Sequence, residues 1–474
     1  MRAERSTFGG AWARGAALAV LTLGLALAAA SSAQAEWSQY RGSPERNARA
    51  VWDSTAGPNG TLDWQVEIGD GAMVDASPVV NPNTGIVYLG TTADSELAGT
   101  ARLLAFYPDG HLQWAVRMWG YDVRAAPAVR RDSHLAVTGT KPVEVGDARR
   151  DGYWQFRQAT FLVEPFRGTI KASPIARDGF LGTSPVVDTQ ANETYVFDRA
   201  FGGLSVYDWS FAQKPAVLFP PGDLEGGWGI DFPDLGTHFD KSAPAGPPRG
   251  DEPPVFERGP SPAWSATCDQ VLWSTEDGVA LKGKPWIGAG RIGEAPSLTT
   301  PVFGKAGLMY VVTRDDDGRA HLESYDQRAV RLWRSGPLGS GSASPPALGR
   351  GSAATGQPAM CSRVRDGVVS RVRDNRPETA YVAVGERLFA FRDDGSFQWE
   401  RRPGGELGEP VVIQRGAEEL LLVPTGGSSP RLAAYRPDGS QAWSFALDAP
   451  SLGSPAVANG RIYVATTSSL YAIR

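Results

Sequence analysis

From about residue 60 to its end the chain alternates short apolar runs with clusters of Gly, Pro, Asp and Asn. One stretch shows the order clearly: "ASPVV" from Ala76, a turn, "GIVYLGTT", a loop, "ARLLAFY", the turn "PDG" and "HLQWAVRM". Those four runs predict four strands in an antiparallel meander. Asp-Gly between the last two marks a tight hairpin, because two-residue turns need positive φ at positions where Gly and Asp are tolerated. The same signal recurs in "FAFRDDGSFQWE" and "AAYRPDGSQAWSF". Pro near the start of each first strand fits too, since a missing N–H costs little where a ladder begins.

The first run recurs as "ASPVV", "AAPAV", "TSPVV", "PSPAW", "TTPVF", "ASPPA", "GEPVV" and "GSPAV", with prolines at 78, 127, 185, 262, 301, 345, 410 and 455. The shorter spacings, 39, 44 and 45 residues, match a four-stranded propeller blade. The expectation is an all-β, eight-bladed β-propeller of four-stranded antiparallel blades, a single domain over 36–474, with each first strand lining the axis. The last unit runs out after "SSLYAIR", one strand short. Its missing fourth strand is "TLDWQVEIG", Thr61 to Gly69, so a strand from the N-terminal side closes the ring and leaves no open sheet edge.

Trp64, Trp114, Trp286, Trp333, Trp399 and Trp443 occupy the same place in six fourth strands. A fixed repeat position predicts structural docking at the joint between adjacent blades, each indole contributing about 2 to 3 kcal/mol of burial. The 56 Gly and 36 Pro fit many short strands and tight turns. With 52 acids against 47 bases and no long basic run, nucleic acid is not an expected partner. Residues 1–35 read as a secretory signal: Arg2, Arg5 and Arg14, then "GAALAVLTLGLALAAA", then Ala-x-Ala at Ala33 to Ala35. Cleavage after Ala35 would give an exported, periplasmic or secreted, monomeric protein with no transmembrane segment. The first cysteine is Cys268, so no lipid anchor is expected at the mature N-terminus.

The repeat resembles the quinoprotein-type (PQQ-like) propeller repeats, whose units end in a Trp after a Gly turn, as in "PDGHLQW", "DDGSFQW" and "PDGSQAW". The opening "WSQYRGSPERNA" is similar to the Trp-x-x-aromatic-Arg-Gly start of exported members of that family. The resemblance covers roughly Trp37 to Arg474 and includes both PQQ-dependent dehydrogenases and a BamB-like non-catalytic branch. The dehydrogenases, as a family, hold PQQ against a disulfide of adjacent cysteines beside Ca²⁺ and an Asp base. Cys268 and Cys361 are the only cysteines here, so that site is not carried over, and no cofactor, metal or catalytic residue is expected. His111, His134, His238 and His321 are scattered, with no metal-ligand spacing. The acidic cluster "DDDG" at Asp315 to Gly318 is expected to be a solvated turn, with a Ca²⁺ site as the alternative.

Three insertions distinguish the chain: 139–158, 220–259 and 350–377. The first two, with the connector "MWGYD", belong on one face by strand parity. They place Trp119, Tyr121, Trp154, Trp228, Phe232 and His238 as an aromatic cap that either pins the loops or forms a ligand or partner surface. The acid-rich 220–259 segment would suit a cationic partner. The Arg-rich 350–377 segment opens on the opposite face, where a Cys268–Cys361 disulfide would staple it; two buried thiols are the alternative. The functional expectation is an exported non-catalytic binding or assembly scaffold for a protein or envelope partner. A PQQ-dependent dehydrogenase using PQQ and calcium, and a carbohydrate-binding envelope protein, are the alternatives.

Overall fold

The structure, a computed structural model, describes residues 37–474 apart from 44–45, 69–71, 74–75, 94–100, 143–155, 173–176, 179–183, 189–192, 199–202, 211, 213–216, 219–262, 266–271, 276–277, 282–298, 327–330, 352–358, 366–367, 375 and 452. The described regular structure is strand, apart from one 3-10 turn at Lys305–Gly307. No helix among these residues is long and apolar enough to cross a membrane.

Antiparallel sheets follow one another along the chain, each a meander. The first is Val79–Val80, Val87–Gly90, Arg102–Phe106 and Leu112–Arg117. The second starts at Ala128–Val129 and the third at Val186–Asp188, each with four strands in sequence order, and in the second Arg177–Asp178 adds a fifth against Phe156–Val163. The fourth, from Ala263–Ser265, has three described strands. Four-stranded sheets then start at Val302–Phe303, Ala347–Gly349 and Val411–Arg415. The last sheet takes Ala456–Ala458, Arg461–Ala465 and Ser469–Ile473 from the C-terminus, and its fourth strand is β2 (Leu62–Glu67). A short strand, β1 (Arg49–Val51), adds in parallel to the inner edge of Val411–Arg415.

Burial grades outward. Among the described side chains, first, second and third strands are mostly buried, as at Val87–Gly90, whereas fourth strands such as Leu112–Arg117 and Gln441–Ala446 alternate exposed and half-buried positions. First strands touch one another: the last sheet's lies beside the first sheet's, that beside the second's, and the second's beside the third's. Further along, Ala263–Ser265 meets Val302–Phe303, and Ala347–Gly349 meets Val411–Arg415. Their small residues, Ala128, Ala347 and Ala456 among them, are wholly buried and allow this crowding.

Each described fourth-strand Trp reaches the next sheet. The indole N–H of Trp64 donates to Pro108 O at 2.9 Å, Trp114 to Pro165 O at 2.8 Å, Trp333 to Asp393 O at 2.8 Å, Trp399 to Pro437 O at 2.8 Å and Trp443 to Pro58 O at 3.1 Å. The accepting turns carry Gly110, Gly168, Gly395, Gly439 and Gly60, all at positive φ, and a Cβ on any of them would sit 2.8–2.9 Å from indole carbon. The turn glycine therefore serves two ends, its own left-handed backbone and the close seat of its neighbour's ring. Trp286 lies outside the described residues. Charged links reinforce some joints: Tyr310 OH donates to Glu378 and Tyr381 OH to Glu419, across consecutive sheets. Burial pushes the Glu378 carboxyl above its ordinary range, against hydrogen bonds from Tyr310 and the Lys305 N–H.

Candidate functional site

A sheet's innermost strand has a free inner edge, and its N–H and C=O groups need partners wherever water is excluded. Here residues 37–53 supply them. Val80 N donates to Trp37 O at 2.8 Å and Val129 N to Ser38 O at 2.6 Å. The Gln39 amide brackets Val187, accepting from its N–H at 3.1 Å and donating to its carbonyl at 3.4 Å. Three successive residues thus cap the first strands of three successive sheets.

The segment then turns, with Arg41, Gly42 and Arg46 at φ of 57°, 87° and 56°. It next engages sheets from the other half of the chain. Leu348 N donates to Asn47 O, Val412 N to Ala48 O, and β1 pairs with Val412 to Gln414. Trp52 N donates to Gln414 O at 2.7 Å, and the Asp53 carboxylate accepts from Gly460 N at 2.6 Å. Trp37, Gln39, Tyr40, Ala48, Ala50 and Trp52 are all buried.

Two guanidinium groups sit at 0 % exposure inside this arrangement. Arg41 donates to Pro346 O at 2.5 Å and Arg46 O at 2.9 Å, and faces Glu409 at 3.5 Å. Arg46 donates to Tyr40 O at 2.5 Å, Pro185 O at 2.9 Å and Ser184 O at 3.2 Å, and lies 5.3 Å from the Tyr40 ring centre. Tyr40 OH closes the set on Glu409 at 2.6 Å. A planar fork of N–H donors suits carbonyls that converge from different strands, which is why Arg rather than Lys fits this place. Burial draws the nearby Arg49 guanidinium below its ordinary range, with Glu378 opposing the shift.

The connector face is built differently. Asp122 and Thr140 exchange N–H···O bonds at 2.7 and 2.9 Å, and Val123 N donates to Thr91 O. The connector between the first and second sheets therefore lies at the same end as the outgoing ends of second strands. Leu407 pairs with Thr425 in the same way. Trp119 and Tyr121 meet the edge of Phe161 at ring-centre distances of 5.8 and 5.4 Å. Tyr121 is buried, whereas Trp119 is 61 % exposed at a φ of 52°. Trp154, Trp228, Phe232 and His238 lie outside the described residues, as does the 220–259 insertion.

The other insertions are more regular than bare loops. The strands Leu135–Pro142 and Phe156–Val163 run in register well into 139–158. Within 350–377, Ala359–Arg365 and Val368–Asp374 form a two-stranded hairpin between the first and second strands of their sheet, beside the Lys305–Gly307 turn. Cys361 is on that hairpin opposite Val372; Cys268, its expected disulfide partner, lies outside the described residues. In the acidic turn, Asp315 accepts from Arg319 N and pairs with His321 at 2.9 Å, while Asp317 pairs with Arg319. His321 holds Asp315 below the ordinary carboxylate range. Among the described residues no three His, Cys, Asp or Glu side chains converge as a metal site. Residue-level reasoning did not single out Tyr40, Arg41, Arg46 or Glu409; the only sequence signal was the family-like opening motif.

Residues 385–473 match the family model described as outer membrane protein assembly factor BamB. That stretch carries repeats of the BamB-like, PQQ-type propeller family, and it runs from the second-to-third turn of one sheet to the end of the last. Among solved structures the chain is similar to BamB from Moraxella catarrhalis, at 12% identity over 84% of this chain and 85% of that one, TM-score 0.37. It is also similar to a chain of the mitotic checkpoint complex, at 11% identity over 89% and 94%, TM-score 0.42. The V. cholerae biofilm matrix protein Bap1 matches at 10% identity over 93% and 90%, TM-score 0.45. No curated protein sequence matches the chain.

Proposed function

We propose that this chain is an exported, eight-bladed, single-domain propeller that acts as a non-catalytic binding or assembly scaffold, offering its two rims to a protein or envelope partner. The observation that carries this reading is the filled axis. The described residues of 37–53 run between the first strands and bond to them through Trp37 O, Ser38 O, the Gln39 amide, Asn47 O, Ala48 O and the guanidinium groups of Arg41 and Arg46. The groups that hold PQQ in the family's dehydrogenases do not fit this chain either, since its two cysteines stand far apart in sequence. Recognition then falls to the rims. The BamB-like repeats at 385–473 support an envelope setting and a scaffolding role, and cleavage after Ala35 is part of the same reading.

On the connector rim Trp119 is the residue to test. A non-glycine residue at positive φ costs roughly 1 to 2 kcal/mol, and here the strained backbone holds an indole out in water. Strained backbone clusters at ligand clamps and switch regions, which is the reason for testing this residue. The acid-rich 220–259 insertion, placed on this rim by parity, would suit cationic groups on the partner.

The test is cross-linking in intact envelopes of the producing cells, comparing wild type with Trp119→Ala and with a chain lacking 143–155. One cross-linked partner, lost in both variants and weakened as salt rises, supports the reading. A partner unaffected by either change would remove the connector rim from it. Saturable quenching of Trp fluorescence by PQQ with Ca²⁺ would overturn the non-catalytic assignment. Saturable binding of a glycan, abolished by Trp119→Ala, would favour sugar recognition instead.

A further inference from the structure

The axial segment has the contacts of a bound peptide. Its recognition runs through main-chain bonds to first strands of several sheets, a parallel strand addition at β1, and side-chain sites for a few residues. Strand addition to an exposed edge, with pockets for particular side chains, is a recurring mode of peptide recognition. The pockets here are specific. Arg41 is read by Pro346 O and Glu409, Arg46 by Ser184 O and Pro185 O, and the Gln39 amide by both backbone groups of Val187. Pro346, Glu409, Ser184 and Pro185 lie just ahead of first strands and Val187 is within one, so every one of these groups is outside the segment.

Beyond Asp53 the chain leaves the axis through Thr55 and Ala56, which are exposed while their carbonyls accept from Arg415 and from the Trp52 indole N–H, before reaching the turn at Pro58 to Gly60. The connection from the axial residues to β2 is thus a short strap at the surface, held by two hydrogen bonds.

We propose that the axis is a peptide-binding site, filled in cis by residues 37–53, that accepts in trans an extended peptide carrying an aromatic-Arg-Gly turn followed by a second arginine. Specificity resides in the two guanidinium sites, because each arginine forms charge-assisted or carbonyl-directed bonds that a shorter side chain leaves unmade. The occupant that meets the requirement is the same segment of a second copy of this chain, whose contacts with these strands are those already seen in cis.

The experiment uses the full chain with a protease recognition sequence placed between Ala56 and Gly57, folded first and cut afterwards. The probe is a fluorescent synthetic peptide of residues 37–56. Anisotropy and native mass spectrometry should show one labelled peptide entering per cut chain in exchange for the original segment, and none entering the uncut chain. Unlabelled peptides with Arg41→Ala or Arg46→Ala should compete roughly 10- to 100-fold less well than the parent, as expected for lost hydrogen bonds of a charged group. Three results would overturn the proposal. One is a cut chain that unfolds when the segment leaves, by far-ultraviolet circular dichroism. Another is a segment that never exchanges at denaturant concentrations just below global unfolding. The last is alanine peptides that compete as well as the parent. This proposal shares the filled axis with the scaffold reading, but cross-linking at the rim tests that reading without opening the axis, so a failure of one experiment is distinguishable from a failure of the other.

Discussion

The last two sheets are near copies that differ in one covalent link. In the sheet from Val411 to Ala446, the third strand runs through the turn Pro437 to Gly439 into the fourth. In the last sheet the chain stops at Arg474, and the corresponding turn, Pro58 to Gly60, arrives from the other end of the protein. The geometry is nevertheless the same: Trp443 seats on Gly60 as Trp399 seats on Gly439. In place of the covalent hairpin, Asn59 N and Thr61 N donate to Arg474 O, and Arg474 N donates to Thr61 O. Asp63 adds ion pairs to Arg461 at 2.6 Å and Arg474 at 2.7 Å. A broken hairpin is thus rebuilt from hydrogen bonds and charge, and the joint is held by groups that mutation or pH can switch off.

Removing 36–69 is the harshest way to break the comparison. It takes away both the axial segment and β2, and should abolish cooperative thermal unfolding or lower Tm by more than about 10 °C, given several kcal/mol of lost packing. An unchanged Tm would mean the ring does not close through β2. Next come Trp64→Ala and Trp399→Ala, each expected to cost about 3 kcal/mol in denaturant unfolding. They should part company in hydrogen exchange. Trp64→Ala releases a strand held without a covalent turn, so amides of Ser469–Ile473 should exchange faster, while Trp399→Ala leaves those amides protected.

Gly60→Ala and Gly439→Ala probe the two turns directly. Each combines a positive φ with a Cβ under 3 Å from an indole, and each should cost roughly 1 to 3 kcal/mol. The smallest effect is electrostatic. Burial works against the Asp63 charge, but hydrogen bonds from Arg461 and Arg474 hold its carboxyl below the ordinary range. Glu400, bound in bidentate fashion by Arg387 in an uninterrupted sheet, is held down to about 2. Both carboxyls are depressed in the folded state, so each contributes stability that is present above the ordinary carboxylate range and lost as pH falls through the folded value. Asp63→Asn should cost about 1 kcal/mol at neutral pH, a cost that shrinks as pH falls below the ordinary carboxylate range. A cost independent of pH would assign Asp63 a packing role instead.

Most of the repeat was legible because it rests on local chemistry: Asp-Gly and Pro-Asp-Gly turns, Pro at strand starts, and runs long enough for one strand. The crossing of β2 into the last sheet was legible for the same reason, since one unit lacked a strand and another stretch had one to spare. The seat of each Trp was half legible. The ring repeats visibly, but its partner is a glycine in the next unit, 40 positions on for Trp399 and Gly439 and 62 for Trp333 and Gly395. The axis was not legible as a site. Residues 37–53 have no periodicity, β1 is three residues long, and Arg41, Arg46 and Ala48 adopt positive φ that composition would assign to glycine. Fully buried arginines run against the usual placement of that residue. The insertions at 139–158 and 350–377 read as loops because polar and glycine-rich stretches hide pairing that only the partner strand specifies.

The pairing of β2 with Ser469–Ile473 also sets a timetable. Gln65 waits for Tyr471, 406 positions later, and at about 5 to 20 residues per second of synthesis that is a delay of roughly 20 to 80 s. Throughout it β2 has no edge to join, and the axial residues have only part of their surroundings. Nascent chains are therefore at greatest risk of wrong pairing before the C-terminus emerges, and a holding factor that protects the N-terminal seventy residues would raise yield more than one acting on the finished ring.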